Sequence, residues 1–151
     1  MPNPSGIGYD VHPLVEGRAL VLGGVSVPFD KGLSGHSDGD VLVHAIIDAL
    51  LGAAVLSDIG AHFPPSDPQY KDVASTVLLK RTVQLLDGNG WRAIHLDATI
   101  LAEHPMLKPY IDQMRHNIAE EIGVDAKSVS IKATTTDGLG AIGRGEGVAA
   151  M

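Results

Sequence analysis

Asp10, His12 and His44 are the residues whose types and spacing could bind a metal ion. Asp10 and His12 lie two positions apart in a segment with strand character, so both side chains are expected to leave the same face of the strand. His44 lies in a stretch from 41 to 56 that is otherwise almost entirely apolar. Two imidazoles and a carboxylate form a zinc-type ligand set, and three protein ligands leave a fourth position open, as in catalytic zinc sites.

Asp48 follows His44 by four positions and therefore shares its face of the predicted helix. A helix that is apolar nearly all round is buried, so its two polar groups need partners. Asp48 is thus a candidate to accept the second ring N–H of His44. On spacing alone, a hydrogen-bonded core histidine remains the alternative to a metal ligand.

Three loops that contain glycine and several polar residues could bind anions. The first is His36-Ser37-Asp38-Gly39-Asp40, for which helix capping explains every residue except His36. The second runs from Lys132 through Thr134, Thr135 and Thr136 to Asp137; its hydroxyls and amides suit phosphate oxygens, and Asp137 suits a hard divalent cation. The third, from 143 to 147, contains Arg144. A plain turn with solvated charges is the alternative for these last two loops.

The composition excludes several classes of protein. The 151 residues contain 11 Lys and Arg against 18 Asp and Glu, which gives a net charge of −7 and argues against nucleic acid as a partner. Cysteine is absent, so disulfides, thiolate metal sites and a cysteine nucleophile are excluded. No signal peptide is visible and the longest apolar run is too short to span a bilayer, which predicts a cytoplasmic protein with no membrane partner. The length predicts a single catalytic domain, 1–151.

Periodicity predicts the elements that position these loops. Strands are expected at 6–12, 19–22, 25–29, 93–103, 129–133 and 147–151, and helices at 41–56, 73–87 and about 107–122. Gly23-Gly24 predicts a tight hairpin, Gly123 a helix end, and Asp38 or Asp40 a helix N-cap. The segments 30–40 and 57–72 are expected to be loops. The mixed order predicts an α+β fold, a mixed β-sheet with helices packed on one face.

Four segments resemble the 2-C-methyl-D-erythritol 2,4-cyclodiphosphate synthase family of the non-mevalonate isoprenoid pathway. They are GIGYDVHPL, LVLGGVSVPFDKGLSGHSDGDVLVHAIIDALLGAA, SDIGAHFPPSDPQYK and IKATTTDGLGAIGRGEG. The resemblance runs from about residue 6 to the end, in the family's motif order and spacing. It implies a phosphorus–oxygen lyase that converts 4-diphosphocytidyl-2-C-methyl-D-erythritol 2-phosphate to the cyclic diphosphate and releases CMP.

The resemblance also implies roles for individual residues. Asp10, His12 and His44 match the zinc ligands, and Asp137 matches the site of a second cation, Mg²⁺ or Mn²⁺. His36 and Thr135 match the positions that stabilise the transition state. The family is homotrimeric, with each site between subunits. The positions matching its substrate-binding residues are Asp10, His12, His36, Ser37, Asp58, Ile59, Gly60, Phe63, Asp67, Ala102, Met106, Lys108, Thr134, Thr135, Thr136, Asp137, Ala141 and Arg144.

The sequence departs from the family pattern at four places. Asp137 stands where many members carry Glu, Pro65 stands where Asp is common, and Met106 stands where Lys is common. The sequence stops at Met151, about a strand before the family's usual end, so either an edge strand is expected to be missing or the sequence is truncated there. None of these departures touches the zinc triad.

Two other functions fit the same residues. A zinc-dependent phosphoester hydrolase would use the open zinc position to activate water, and Asp48 or Asp58 would have to serve as its base. A non-catalytic metal- or nucleotide-binding module would use the triad only structurally.

Overall fold

The computed structural model describes residues 3–151, and its centre is a five-stranded mixed sheet. The strands are β1 (Asp10–Glu16), β4 (Lys31–Leu33), β5 (Leu96–Leu101), β6 (Val129–Thr134) and β7 (Gly147–Ala150), in the order β4-β1-β7-β5-β6. Strands β5 and β6 run parallel, and the other described pairs are antiparallel. A separate hairpin joins β2 (Leu20–Leu22) to β3 (Val25–Val27).

Within residues 3–151, five helices accompany the sheet: α1 (Val41–Ala53), α2 (Ile59–His62), α3 (Ser75–Gly88), α4 (Ile111–Ile122) and α5 (Gly140–Gly143). Helix α1 packs on β1, β5 and β7, α4 packs on β6, and α3 packs on both of these helices. The core between them is aliphatic, with Leu42, Leu79, Ile100 and Ile118 among its fully buried side chains. This α+β arrangement of a mixed sheet with packed helices confirms the predicted fold class.

Two sequence signals for local structure are confirmed in detail. Gly23 and Gly24 both have positive φ (57° and 72°), the conformation that a two-residue hairpin turn requires. Gly123 ends α4 in the left-handed region, with φ 74°. The N-cap of α1 is Asp40, whose side chain accepts from the Val43 N–H.

The first strand was predicted four residues too early, because its pairing partners lie further along the chain. Asp10 pairs with Ala150 of β7, and Leu14 pairs with Leu33 of β4. The preceding residues lie against α1 instead. A Cβ at Gly8 would come within 1.9 Å of the Ala45 carbonyl oxygen, so only glycine allows this approach.

Segments predicted as loops contain short elements. Strand β4 lies within 30–40, where three residues pair with the end of β1. Helix α2 and a 3-10 turn at Pro68–Tyr70 lie within 57–72, and α5 follows the threonine-rich loop. All are too short to produce a recognisable periodicity. Helix α1 ends at Ala53 rather than at 56, and β5 spans only the central part of the predicted strand 93–103.

The end of α1 carries a strained valine that yields a stability prediction. Val55 has φ 58° and is 88% exposed, while the Leu56 N–H donates to the Leu51 carbonyl, a Schellman motif in which glycine is preferred. We expect Val55→Gly to stabilise the protein by about 0.5–1 kcal/mol, because relief of the left-handed strain exceeds the entropy that glycine adds to the unfolded chain. Urea denaturation would measure this change.

The matched control is Val77→Gly, at a half-exposed position inside α3. It is expected to destabilise by about 1 kcal/mol, since its backbone is already helical. Equal effects of the two substitutions would contradict the assignment of strain to Val55.

Candidate functional site

The three predicted metal ligands converge at the N-terminal end of β1. Asp10 and His12 leave one face of this strand, and His44 reaches them from α1, which packs on that face. One ligand atom from each residue lies within 4.8 Å of the other two. The Asp10 Oδ2 atom is 2.9 Å from His44 Nδ1 and 3.1 Å from His12 Nε2. This cluster can hold a divalent metal ion, as the spacing predicted.

Electrostatics favour the charged form of this cluster. Burial by itself would raise the pKa of Asp10, but its contacts with the rings of His12 and His44 outweigh this effect and hold the pKa at about 2. The hydrogen bond to Asp10 raises the pKa of His12, against the opposing effect of its burial. The site therefore keeps a carboxylate at neutral pH, ready to bind a cation.

The proposed contact between Asp48 and His44 is absent, and this part of the prediction is wrong. Asp48 Oδ1 accepts the backbone N–H of Ile59 at 2.8 Å, which holds the start of α2 against α1. His44 Nε2 instead meets Ser75 Oγ at 2.8 Å and Ser37 Oγ at 3.1 Å. Ser75, the first residue of α3, was missed because no local spacing links it to His44.

The loop containing His36 and Ser37 lies beside the segment 63–73. His36 Nε2 is 3.0 Å from the Asp67 carbonyl oxygen, and the Asp72 N–H donates to the His36 carbonyl. Arg18 also stabilises this loop, since its guanidinium donates hydrogen bonds to the carbonyls of Leu33 and Ser37. Arg18 is a second residue that the sequence analysis missed, because it acts across 19 positions of chain.

The residues at 58–67 form an ordered, partly exposed surface. Asp58 caps α2 by accepting the Ala61 N–H, and Ile59 and Gly60 begin that helix. The ring of Phe63 packs edge-on against Tyr70 at 5.5 Å between centroids. Pro65 is exposed, and the side chain of Asp67 accepts two hydrogen bonds from Gln69.

The predicted nucleotide and phosphate loops adjoin each other at the far edge of the sheet. The Ala102 N–H donates to the Thr134 carbonyl, and the Thr136 N–H donates to a carboxylate oxygen of Glu103. Thr135 and Asp137 are exposed, as are Met106 and Lys108 in the neighbouring loop. Glu103 was not singled out from the sequence; it joins the two loops across 33 positions.

Ala141 and Arg144 lie in the segment that joins β6 to β7. Ala141 is in α5, and the Glu146 N–H donates to its carbonyl. Arg144 Nε pairs with Glu146 Oε2 at 2.5 Å, with both side chains more than half exposed. The Leu14 N–H donates to the Glu146 carbonyl, which connects this loop to β1.

The titrating groups predict how the stability of the metal-free protein varies with pH. Burial, reinforced by Asp38, raises the pKa of Asp40 from 3.8 to about 6, so the stability that its neutral form provides is lost as the pH rises through 6. The raised pKa of His12 acts in the same direction above pH 6.5. The lowered pKa of Asp10 acts oppositely, but only below pH 3.8.

In EDTA we therefore expect the Tm to be several degrees higher at pH 5 than at pH 8. Zinc should raise the Tm most at pH 8, because binding requires deprotonated ligands. Thermal denaturation with and without zinc would measure both effects, and His12→Ala should weaken the pH response. A Tm in EDTA that increases toward pH 8 would contradict the assignment.

Within residues 3–151, every helix is too short or too polar to cross a bilayer.

Comparison with known proteins identifies relatives over nearly the whole chain. The YgbB family model matches residues 4–151. The 2-C-methyl-D-erythritol 2,4-cyclodiphosphate synthase of Moorella thermoacetica is 59% identical over 97% of this chain and 90% of its own length.

Two solved structures are also similar. A 2C-methyl-D-erythritol-2,4-cyclodiphosphate synthase in a CDP-bound form is 32% identical with a TM-score of 0.88, and the alignment covers 97% of this chain and 95% of that one. The CDP complex of the Plasmodium falciparum protein IspF is 28% identical with a TM-score of 0.84, over 99% of this chain and 94% of that one. The chain therefore belongs to the YgbB family, that of the 2-C-methyl-D-erythritol 2,4-cyclodiphosphate synthases, as its motifs indicated.

Proposed function

We propose that this protein converts 4-diphosphocytidyl-2-C-methyl-D-erythritol 2-phosphate to 2-C-methyl-D-erythritol 2,4-cyclodiphosphate and CMP. An oxygen of the 2-phosphate attacks the β-phosphorus, the bond from that phosphorus to the α–β bridging oxygen breaks, and CMP leaves with that oxygen. Water is neither consumed nor released. The observation that carries the proposal is the Asp10–His12–His44 cluster in a chain that matches such synthases over nearly its full length.

Asp10, His12 and His44 would hold zinc or a similar divalent transition metal, and Asp137 would hold Mg²⁺ or Mn²⁺ on the diphosphate. The donor set fits zinc, because one carboxylate and two imidazoles converge within 4.8 Å. When bound, the cations supply Lewis acidity and neutralise charge on the diphosphate. Catalysis of phosphoryl transfer depends mainly on such positioning and charge neutralisation, so no protein nucleophile is required.

The chain's own residues would bind the two ends of the substrate separately. His36 and Ser37, with Asp58–Gly60 and the segment from Phe63 to Asp67, would orient the methylerythritol phosphate. Ala102, Met106, Lys108 and the hydroxyls of Thr134–Thr136 would hold the cytidine and its phosphates, with Ala141 and Arg144 beside them. Thr135 and His36 would donate hydrogen bonds to the phosphate oxygens as negative charge redistributes in the transition state.

The register of the sheet supports a site shared between subunits. Val11 pairs with Ala149, Ala149 with Leu101, and Leu101 with Thr134, so these residues form one row across four strands. Three strand spacings separate the two ends of that row by about 14 Å. Adjacent phosphorus atoms of a diphosphate are joined by a single oxygen, so one subunit cannot contact both from its own triad and its own Thr134.

The two halves also face different sides of the sheet. Asp10 and His12 face α1, whereas the row containing Val11 and Thr134 faces the side where Val11 is exposed. Because a copy presents its threonine loop on the side opposite its own metal cluster, this loop would reach the metal cluster of a neighbouring copy instead, and a closed ring of three copies would complete three equivalent sites. We therefore propose a homotrimer.

The hydrolase alternative is less well supported. Its required base would be Asp48 or Asp58, and each of these carboxylates already accepts a backbone N–H, from Ile59 and Ala61 respectively. Neither belongs to the cluster of possible metal ligands.

Phosphorus NMR of the protein with the substrate, zinc and Mg²⁺ tests the reaction. We expect equal amounts of CMP and a new cyclic diphosphate with two coupled phosphorus signals. Release of inorganic phosphate or CDP would identify a hydrolase instead. The control is the same mixture with EDTA.

Co-expression of two inactive variants tests the shared site. His12→Ala removes the metal half of a site and Thr135→Ala the phosphate half, so each alone should be nearly inactive. In randomly mixed trimers, about a quarter of the sites take both intact halves from different subunits. Recovery of about a quarter of wild-type activity is expected, and no recovery in mass-verified mixed trimers would place both halves within one subunit.

A further inference from the structure

A chain of buried hydrogen bonds continues from His44 away from the metal cluster. His44 Nε2 lies 2.8 Å from Ser75 Oγ, and the Ser75 hydroxyl contacts Asp38 Oδ1. Ser75 is fully buried and His44 nearly so, with relative exposures of 0% and 8%. Two segments distant in sequence, 38–44 and the start of α3, therefore meet behind one predicted metal ligand.

The donors and acceptors in this chain fix the ring of His44 in one protonation pattern. The carboxylate of Asp38 only accepts, so the single hydroxyl proton of Ser75 is donated to it. The Ser75 oxygen then accepts, and its donor is the Nε2–H of His44. This leaves the lone pair of Nδ1 directed at Asp10 Oδ2, 2.9 Å away.

Two lone pairs that face each other at this distance need a positive centre between them. A divalent metal ion bound between them supplies it. Because Nε2 of His44 donates to Ser75, Nδ1 on the other side of the ring is left able to bind a cation.

We propose that Ser75, oriented by Asp38, is a positioning residue for metal binding by His44. It holds the imidazole in the form with Nδ1 free and prevents rotation of the ring out of the cluster. Ser37 Oγ, 3.1 Å from Nε2, gives a weaker second contact on the same side. The proposal rests on the metal role proposed above for His44.

The hydroxyl of Ser75 can be separated from the structural role of its backbone. The Ser75 N–H donates to Asp38 Oδ2 at 2.9 Å and so caps the start of α3. This bond does not involve the side chain of Ser75. Ser75→Ala therefore removes the contact with His44 while α3 keeps its cap.

The test is the zinc dissociation constant, measured without substrate by competition with a chromophoric chelator. We expect Ser75→Ala to weaken zinc binding by about 10- to 100-fold, the usual effect of removing a partner that orients a metal ligand. The absorption spectrum of the Co²⁺-loaded variant should shift, because His44 is no longer held in one orientation. Ser26→Ala, at an exposed position of β3, is the control and should leave both measurements unchanged.

Asp38→Asn provides a second variant that does not depend on how the Ala variant folds. The hydroxyl and the N–H of Ser75 donate to different oxygens of Asp38, so replacing either oxygen with an amide NH₂ breaks one of these bonds. A smaller loss of zinc affinity is therefore expected. Zinc binding by Ser75→Ala within twofold of wild type would overturn the proposal and leave the metal site standing. Absence of zinc binding by the wild-type protein would overturn both.

Discussion

His12→Ala is expected to reduce turnover by about 1,000-fold or more while the proposed trimer remains intact. His12 supplies one of three donor atoms that meet within 4.8 Å, and two remaining ligands would hold a metal ion only weakly. Loss of a Lewis acid is worth several kcal/mol of transition-state stabilisation, and about 1.4 kcal/mol corresponds to a tenfold change in rate. CMP release under saturating zinc and Mg²⁺ would measure the loss.

His116→Ala is the matched control for this prediction. His116 is exposed on α4, where its ring bonds the Asp112 carbonyl. Its removal should leave activity within twofold of wild type. The assembly of both variants should be checked by native mass. Undiminished turnover by His12→Ala would rule out the metal mechanism.

Asp40→Ala is expected to cause the largest loss of stability among single substitutions outside the metal cluster. The carboxylate of Asp40 is fully buried and accepts three backbone N–H groups, from Gly23, Gly24 and Val43. It therefore joins the β2–β3 turn to the start of α1. Truncation leaves these three donors without an acceptor, which we expect to cost about 3–5 kcal/mol in the free energy of unfolding.

Asp125→Ala provides the comparison for Asp40→Ala. Asp125 caps a short 3-10 turn through a single N–H, that of Lys127, at an exposed position. Water can replace that bond, so we expect a cost below about 1 kcal/mol. Urea denaturation of both variants at neutral pH would measure the difference. A loss of less than 1 kcal/mol in Asp40→Ala would show that the turn and the helix are held together by other contacts.

Local patterns in the sequence predicted the metal cluster because its members follow simple periodicities. Asp10 and His12 share a face because side chains alternate along a strand. His44 was recognisable because it interrupts an apolar helix, and a buried imidazole needs partners. The turn at Gly23-Gly24 and the helix end at Gly123 were equally predictable, since each depends on the backbone preference of glycine alone.

Contacts between segments distant in sequence could not be predicted from these patterns. Asp48 lies on the same helix as His44, yet its carboxylate accepts the Ile59 N–H because the chain after α1 folds back over that position. Ser75 takes the place that Asp48 was expected to fill. The position of β1 was decided by the registers of β4 and β7, which no signal within residues 6–16 contains.

The sequence by itself determined the fold class, the family and the residues able to bind a metal, because each of these follows from periodicity, composition or a contiguous motif. Only the tertiary structure decided which atoms contact the candidate ligands from behind and how far apart the two halves of the proposed site lie. Ser75 reaches His44, and Thr134 is set three strands from Val11, through pairings between elements far apart in the chain. Such pairings minimise the free energy of the whole packed molecule, and no short segment encodes them.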